Sequence, residues 1–172
     1  MLKTIWQLSL YKAKPENIPY SVPLLLCTFC INFCILFYIV ALASGSLTMA
    51  LWKTLLSLSM LTLFTALSLQ LRRYPERLVQ ALTGLLAIQS IILSLCALPY
   101  ILILSFLSET NSNILHVLGL SFCSGLLLIA SIWLFSIYSI VYRSALELSI
   151  NASYFLTLLL FASILITFKC LQ

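Results

Sequence analysis

Long apolar runs broken by short polar gaps organise this 172-residue chain. Each run is long enough to cross a bilayer, which takes about 20 apolar residues in helical form. The pattern predicts five transmembrane helices over 22–43, 47–71, 78–107, 114–142 and 151–168, and so an all-α, polytopic membrane bundle. At about 1.5 Å per residue the first two would measure roughly 33 to 38 Å, enough to cross with some tilt. Pro99 falls inside the third and is expected to kink it, because proline has no N–H for the preceding turn. Connections this short, such as Ser44-Gly45-Ser46, lead us to expect sequential helices packed as antiparallel neighbours.

Ahead of the first run, Leu2, Ile5, Trp6 and Leu10 recur at helical spacing, with Lys3, Gln7 and Lys14 among the polar positions between them. That alternation predicts a short amphipathic helix lying in the membrane interface, with Trp6 and Tyr11 at headgroup depth. Pro15, Pro19 and Pro23 then interrupt any continuous helix and form an elbow into the first span. Residues 1–21 thus read as an interfacial arm and 22–172 as one transmembrane domain. Ala41-Leu42-Ala43 resembles a signal-cleavage motif, but it ends too long and too late an apolar stretch, so the first span is expected to be retained.

Charge gives the bundle a direction. Lys3, Lys12, Lys14, Arg72, Arg73, Arg77 and Arg143 fall in every second gap, whereas Lys53 and Lys169 mark the other side. Cytoplasmic loops retain Lys and Arg, so the expected orientation has a cytoplasmic N-terminus and a periplasmic C-terminus. The net charge of +5 is spread over several membrane edges and forms no basic stripe, which favours topology and anionic lipid over nucleic acid. Composition supports the same class: 63% of residues are hydrophobic and 8% charged, against roughly a quarter charged in soluble domains. Five spans and an arm leave no room for a soluble catalytic domain.

Candidate chemistry is sparse. Cys27, Cys30 and Cys34 share one face of the first span, yet no fourth ligand or compensating charge accompanies them. They read as small hydrophobes in helix packing, with a metal or redox site as the alternative. The single His, His116, has no paired carboxylate, and the acidic residues Glu16, Glu76, Glu109 and Glu147 all sit in loops or at span ends. No ionisable group lies deep in a span, which weighs against a proton relay, and one His with no Asp makes a hydrolytic triad hard to build. We therefore expect no catalytic residues, cofactor or metal. Asn32 and Gln89 are mid-span polar groups suited to interhelical hydrogen bonds, and Ser57, Ser59, Thr62, Thr65 and Ser68 read as packing and backbone bonding. Gly119 with Cys123, and Ser121 with Gly125, are small pairs at four-residue spacing that suit close helix approach. Asn151-Ala152-Ser153 matches a glycosylation sequon, but the orientation puts it on the cytoplasmic side.

The predicted cytoplasmic edge is the most densely written surface. Arg72-Arg73-Tyr74-Pro75-Glu76-Arg77 forms one short loop, and Arg143 is spaced to pair with Glu147 at i, i+4. With Lys12 and Lys14, these residues are the candidate contacts for a partner or for lipid headgroups.

Two segments carry a family likeness: Lys14-Pro15-Glu16-Asn17-Ile18-Pro19-Tyr20-Ser21 before the first span, and Tyr142-Arg143-Ser144-Ala145-Leu146-Glu147 after the fourth. With its five spans, the chain resembles small inner-membrane proteins of proteobacteria that are themselves loosely similar to the Yip-type five-span family. The resemblance implies a five-helix, non-enzymatic membrane protein, in a family whose eukaryotic members associate with small GTPases. The Asp-Leu-Tyr-Gly-Pro-like motif of those members does not occur in this sequence, so fold and topology carry over and no site does.

The functional expectation is a non-catalytic accessory subunit, scaffold or assembly factor, with membrane lipids and a membrane-protein partner or a second copy as its contacts. A small oligomeric transporter or channel is the alternative, using Asn32, Gln89 and the Ser/Thr face of the second span. A Cys-based redox or metal protein stands below both.

Overall fold

The computed structural model describes residues 20–108 and 114–170, and these form five long helices: α1 (Val22–Ser44), α2 (Leu47–Leu71), α3 (Leu78–Ser108), α4 (Ile114–Leu146) and α5 (Ile150–Cys170). No strand occurs among the described residues. The N-terminal arm through Pro19, with Lys12 and Lys14, and the loop Glu109 to Asn113 lie outside the described residues.

Local chemistry sets the helix ends. Ser21 caps α1, its Oγ accepting from the Leu24 N–H at 3.4 Å, and Pro23 occupies the first turn, where a missing N–H costs nothing. Gly45 ends α1 at φ 64°, a left-handed conformation that glycine adopts without Cβ penalty, and donates to the Ala41 carbonyl. α2 and α4 end in the same left-handed way with no glycine present: Arg73 has φ 63° and Glu147 φ 53°. Past them, Tyr74 N–H reaches the Leu69 carbonyl at 3.0 Å and Leu148 N–H the Arg143 carbonyl at 3.1 Å, the closing bonds of Schellman turns. Because that turn closes only after Leu146, α4 runs one turn beyond the Tyr142 expected from hydropathy. α3 continues through Pro99, which is buried.

The helices close a ring in which α1 packs against α2 and α3, α3 against α4, α4 against α5, and α5 against α2. This corrects one expectation. α2 and α3 follow each other through the loop Arg72 to Arg77 yet touch only sparsely, because α1 occupies the space beside α3. α3 takes the interior place: every residue from Ala81 to Ile88 is buried, on all sides of the helix. The core extends through Leu58, Leu61 and Leu69 of α2, Ile137, Val141 and Tyr142 of α4 and Leu160 of α5, weighted towards the end that carries the arginines. Towards the other end α3 and α4 expose Leu95, Leu98, Ile101, Val117, Leu118 and Phe122.

Each helix has a window hydrophobic enough to span a bilayer, and only 6 to 33% of such a window is buried within the bundle. The remaining surface is too apolar and too continuous for water. It is satisfied by acyl chains, so the chain is an integral membrane protein.

Candidate functional site

Where the loop Arg72–Arg77 meets the turn between α4 and α5, the side chains of Tyr74, Arg77 and Glu147 form a cluster. The short 3-10 turn Pro75–Arg77 delivers Arg77 beneath the C-terminus of α4. There its Nη1 donates to the carbonyls of Ser144 and Ala145 at 3.4 and 3.3 Å, and its Nη2 pairs with Glu147 Oε1 at 2.9 Å. The last carbonyls of a helix have no N–H partner of their own and carry the negative end of its dipole, so an arginine fork suits them in charge and in geometry. Tyr74 donates its hydroxyl to Glu147 Oε2 at 2.9 Å, and the Arg77 guanidinium lies 4.6 Å from the centre of the Tyr74 ring.

These contacts shift two acids in opposite directions. The hydrogen bond from Tyr74, then that from Arg77, holds the Glu147 carboxyl below its usual value. The bond to Glu147 and its negative charge push the Tyr74 hydroxyl above 10.0.

Glu147 therefore pairs with Arg77, and not with Arg143 as the helical spacing suggested. Glu147 lies past the end of α4 in a left-handed turn, so the i, i+4 geometry of a continuous helix does not reach it. Arg72, Arg73 and Arg143 remain exposed around the cluster. The arrangement clamps one connection to another and surrounds the clamp with positive charge.

The interior polar residues form separate pairs. Asn32 bridges α1 to α3, its Nδ2 donating to the Leu86 carbonyl and to Ser90 Oγ, both at 3.1 Å. Thr65 and Tyr142 join α2 to α4 at 2.9 Å, and Tyr138 donates to Gln89 Oε1 at 2.9 Å. Along α2, Ser59, Thr62, Thr65 and Ser68 each donate to a carbonyl of their own helix. Their hydroxyls are thus largely spent within the helix. Asn32 Oδ1 and Thr54 Oγ1 are buried without a hydrogen-bond partner among the described residues.

Cys27, Cys30 and Cys34 share a face, but it is the exposed one. The buried stripe of α1 is Thr28, Asn32 and Leu36, on the opposite side. The thiols therefore do not pack within the bundle as expected; they face the acyl chains. Among the described residues no three His, Cys, Asp or Glu side chains converge as a metal site. Of the small residues on α4, Cys123 is buried, Ser121 is exposed, and a Cβ added at Gly125 would meet nothing within 4 Å. Close helix approach inside the bundle is thus not what Gly125 provides. The His116 side chain lies outside the described part of the structure.

Comparisons with known proteins return no match: no family model, no curated protein and no solved structure aligns with this chain.

Proposed function

We propose that this chain is a non-catalytic accessory subunit, scaffold or assembly factor of a bacterial inner membrane, oriented with the arginine-bearing edge in the cytoplasm. One observation carries the reading. Arg77, Glu147 and Tyr74 satisfy one another and fasten two connections together, while Arg73 and Arg143 are left exposed beside them. A fastened edge with outward cations is a contact surface for a partner of opposite charge. The loose resemblance to Yip-type proteins belongs to the same reading, as a shared five-span topology with no shared site. Transport has less support, because Asn32 and Gln89 are each engaged with a neighbouring helix.

The test is purification of the tagged chain in a mild detergent, with mass spectrometry of what accompanies it, for the natural sequence and for a variant carrying Arg73→Glu and Arg143→Glu. A stoichiometric membrane partner that is lost from the variant, while the variant stays folded, supports the proposal. A lone homo-oligomer from both would overturn it and favour transport.

A further inference from the structure

A cleft of about 230 Å³ opens beside the clamp, between the C-terminus of α2 and the N-terminus of α5. Its walls are Leu71, Leu146, Leu148, Ala152 and Leu156, and its polar residues are Arg72 and Ser68. The Ser68 hydroxyl already donates to the Phe64 carbonyl at 2.7 Å, so Arg72 supplies the recognition chemistry. Arg72 is exposed and pairs with no carboxylate among the described residues.

The cleft is smaller than the roughly 300–1,000 Å³ of enclosed small-molecule sites. Its layout is that of an amphiphile. Arg72 lies just past the last residue of α2, at the water boundary, and Leu156 lies nearly two turns into α5, at acyl depth. A cation at one end and apolar walls running into the bilayer match a phosphate headgroup with an attached chain. The surroundings favour a negative occupant. With Arg77 and Glu147 paired to each other, this edge retains, among the described residues, three exposed arginines, Arg72, Arg73 and Arg143, against Glu76.

We propose that this cleft binds one phospholipid with a net negative headgroup, its phosphate on Arg72 and an acyl chain along Leu71, Leu148 and Leu156. The inference requires only that the chain sits in a bilayer; it does not depend on a protein partner.

The experiment uses the full chain, stripped of lipid in mild detergent and titrated with phosphatidylglycerol or with phosphatidylcholine of matched chains, bound lipid being counted by native mass spectrometry. Phosphatidylglycerol should be retained in preference. Arg72→Gln should weaken its binding about fivefold, the worth of one surface cation. Ala152→Phe, which fills the cleft and keeps every charge, should weaken it as much, and Arg143→Gln should change it by less than about twofold. Leu148→Trp is the second filling variant should Ala152→Phe not fold. Soluble glycerol phosphate should not displace the lipid. Equal retention of both lipids, equal effects of Arg72→Gln and Arg143→Gln with none from filling the cleft, or displacement by glycerol phosphate would each overturn the assignment.

Discussion

Arg77 Nη2 and Glu147 Oε1 meet at 2.9 Å although 70 positions separate them in the chain. The pair closes the arginine-bearing end of the bundle, and Arg77 has two duties there, since it also caps the carbonyls of Ser144 and Ala145. An exposed ion pair alone is worth little. Arg77→Ala should therefore destabilise mainly through the lost cap, by about 1.5–3 kcal/mol, the usual worth of hydrogen bonds made by a charged donor. Arg77→Lys keeps the charge without the planar fork and should recover less than half of that. Thermal unfolding of the three proteins in one detergent checks the order; equal stability of the Lys variant and the natural protein would show that charge alone matters.

The same cluster fixes a pH dependence. Glu147 binds its proton more weakly in the folded chain, so the stability it adds is present above 4.5, its ordinary value, and is lost as pH falls through the lower folded value. The Tyr74 hydroxyl is shifted upward, so its contribution is present below 10.0 and is lost as pH rises through the higher folded value. A melting temperature followed against pH should show a plateau with a shoulder on each side. Glu147→Gln should flatten both shoulders relative to the natural protein, and Tyr74→Phe should remove the alkaline one and shrink the acid one, leaving the part that Arg77 supplies.

Arg73 offers a separation of stability from contact. Its φ of 63° is a conformation that costs a residue with a side chain about 1 kcal/mol or more, and glycine is the usual occupant of that place. Arg73→Gly relieves about 1–2 kcal/mol of left-handed strain against about 0.5–1 kcal/mol of added chain entropy, so stability should rise by up to about 1 kcal/mol. If a partner uses this edge, the same variant should lose part of the partner despite being the more stable protein. Side-by-side unfolding and co-purification report the two effects, and a variant less stable than the natural chain would contradict the strain argument.

The helices were legible because a bilayer demands long apolar runs, and the turn at Gly45 because glycine marks a left-handed end. The clamp was not. Local spacing pointed Glu147 to Arg143, and nothing in the residue types revealed that the helix ends left-handed at a glutamate. Nor could the pattern show which side of α1 faces inward. Cys27, Cys30 and Cys34 were readable as one face, but lipid is as apolar as the core, so hydrophobicity does not tell outward from inward. Asn32, on the opposite side, was the better guide, since a polar group in a bilayer seeks another helix. The separation of α2 from α3 rests on α1 fitting beside α3, a long-range packing choice with no local signal.

Thr65 and Tyr142 should respond unequally to substitution. Thr65 donates to the Leu61 carbonyl at 2.7 Å, which leaves the Tyr142 hydroxyl as the donor in their shared bond. Tyr142→Phe removes that bond and strands nothing, at the roughly 0.6 kcal/mol typical of such bonds in membranes. Thr65→Val leaves a tyrosine hydroxyl buried without a partner and should cost about 1–3 kcal/mol. Unfolding of both variants and of the double variant gives the coupling; a larger loss for Tyr142→Phe would reverse the assignment of donor and acceptor.

Asn32 decides between a packing residue and a polar site. Its Nδ2 bonds to the Leu86 carbonyl and to Ser90, while its Oδ1 has no partner among the described residues. Ser90 also donates to the Leu86 carbonyl at 2.8 Å, so removing Asn32 strands neither group. Asn32→Leu keeps the branching of the side chain and removes the unpaired oxygen as well, but it adds bulk at a fully buried position and should cost about 1–3 kcal/mol. Asn32→Asp places a carboxylate against a carbonyl and a hydroxyl whose proton is already given away. It should cost about 3 kcal/mol or more when ionised. Unfolding at neutral and at acid pH separates the two, because protonation should restore part of the Asp variant. If Asn32→Leu folds as expected and keeps the partner found by co-purification, Asn32 holds α1 to α3 and does no more; if it abolishes a measured flux through the reconstituted protein, the interior is a path after all.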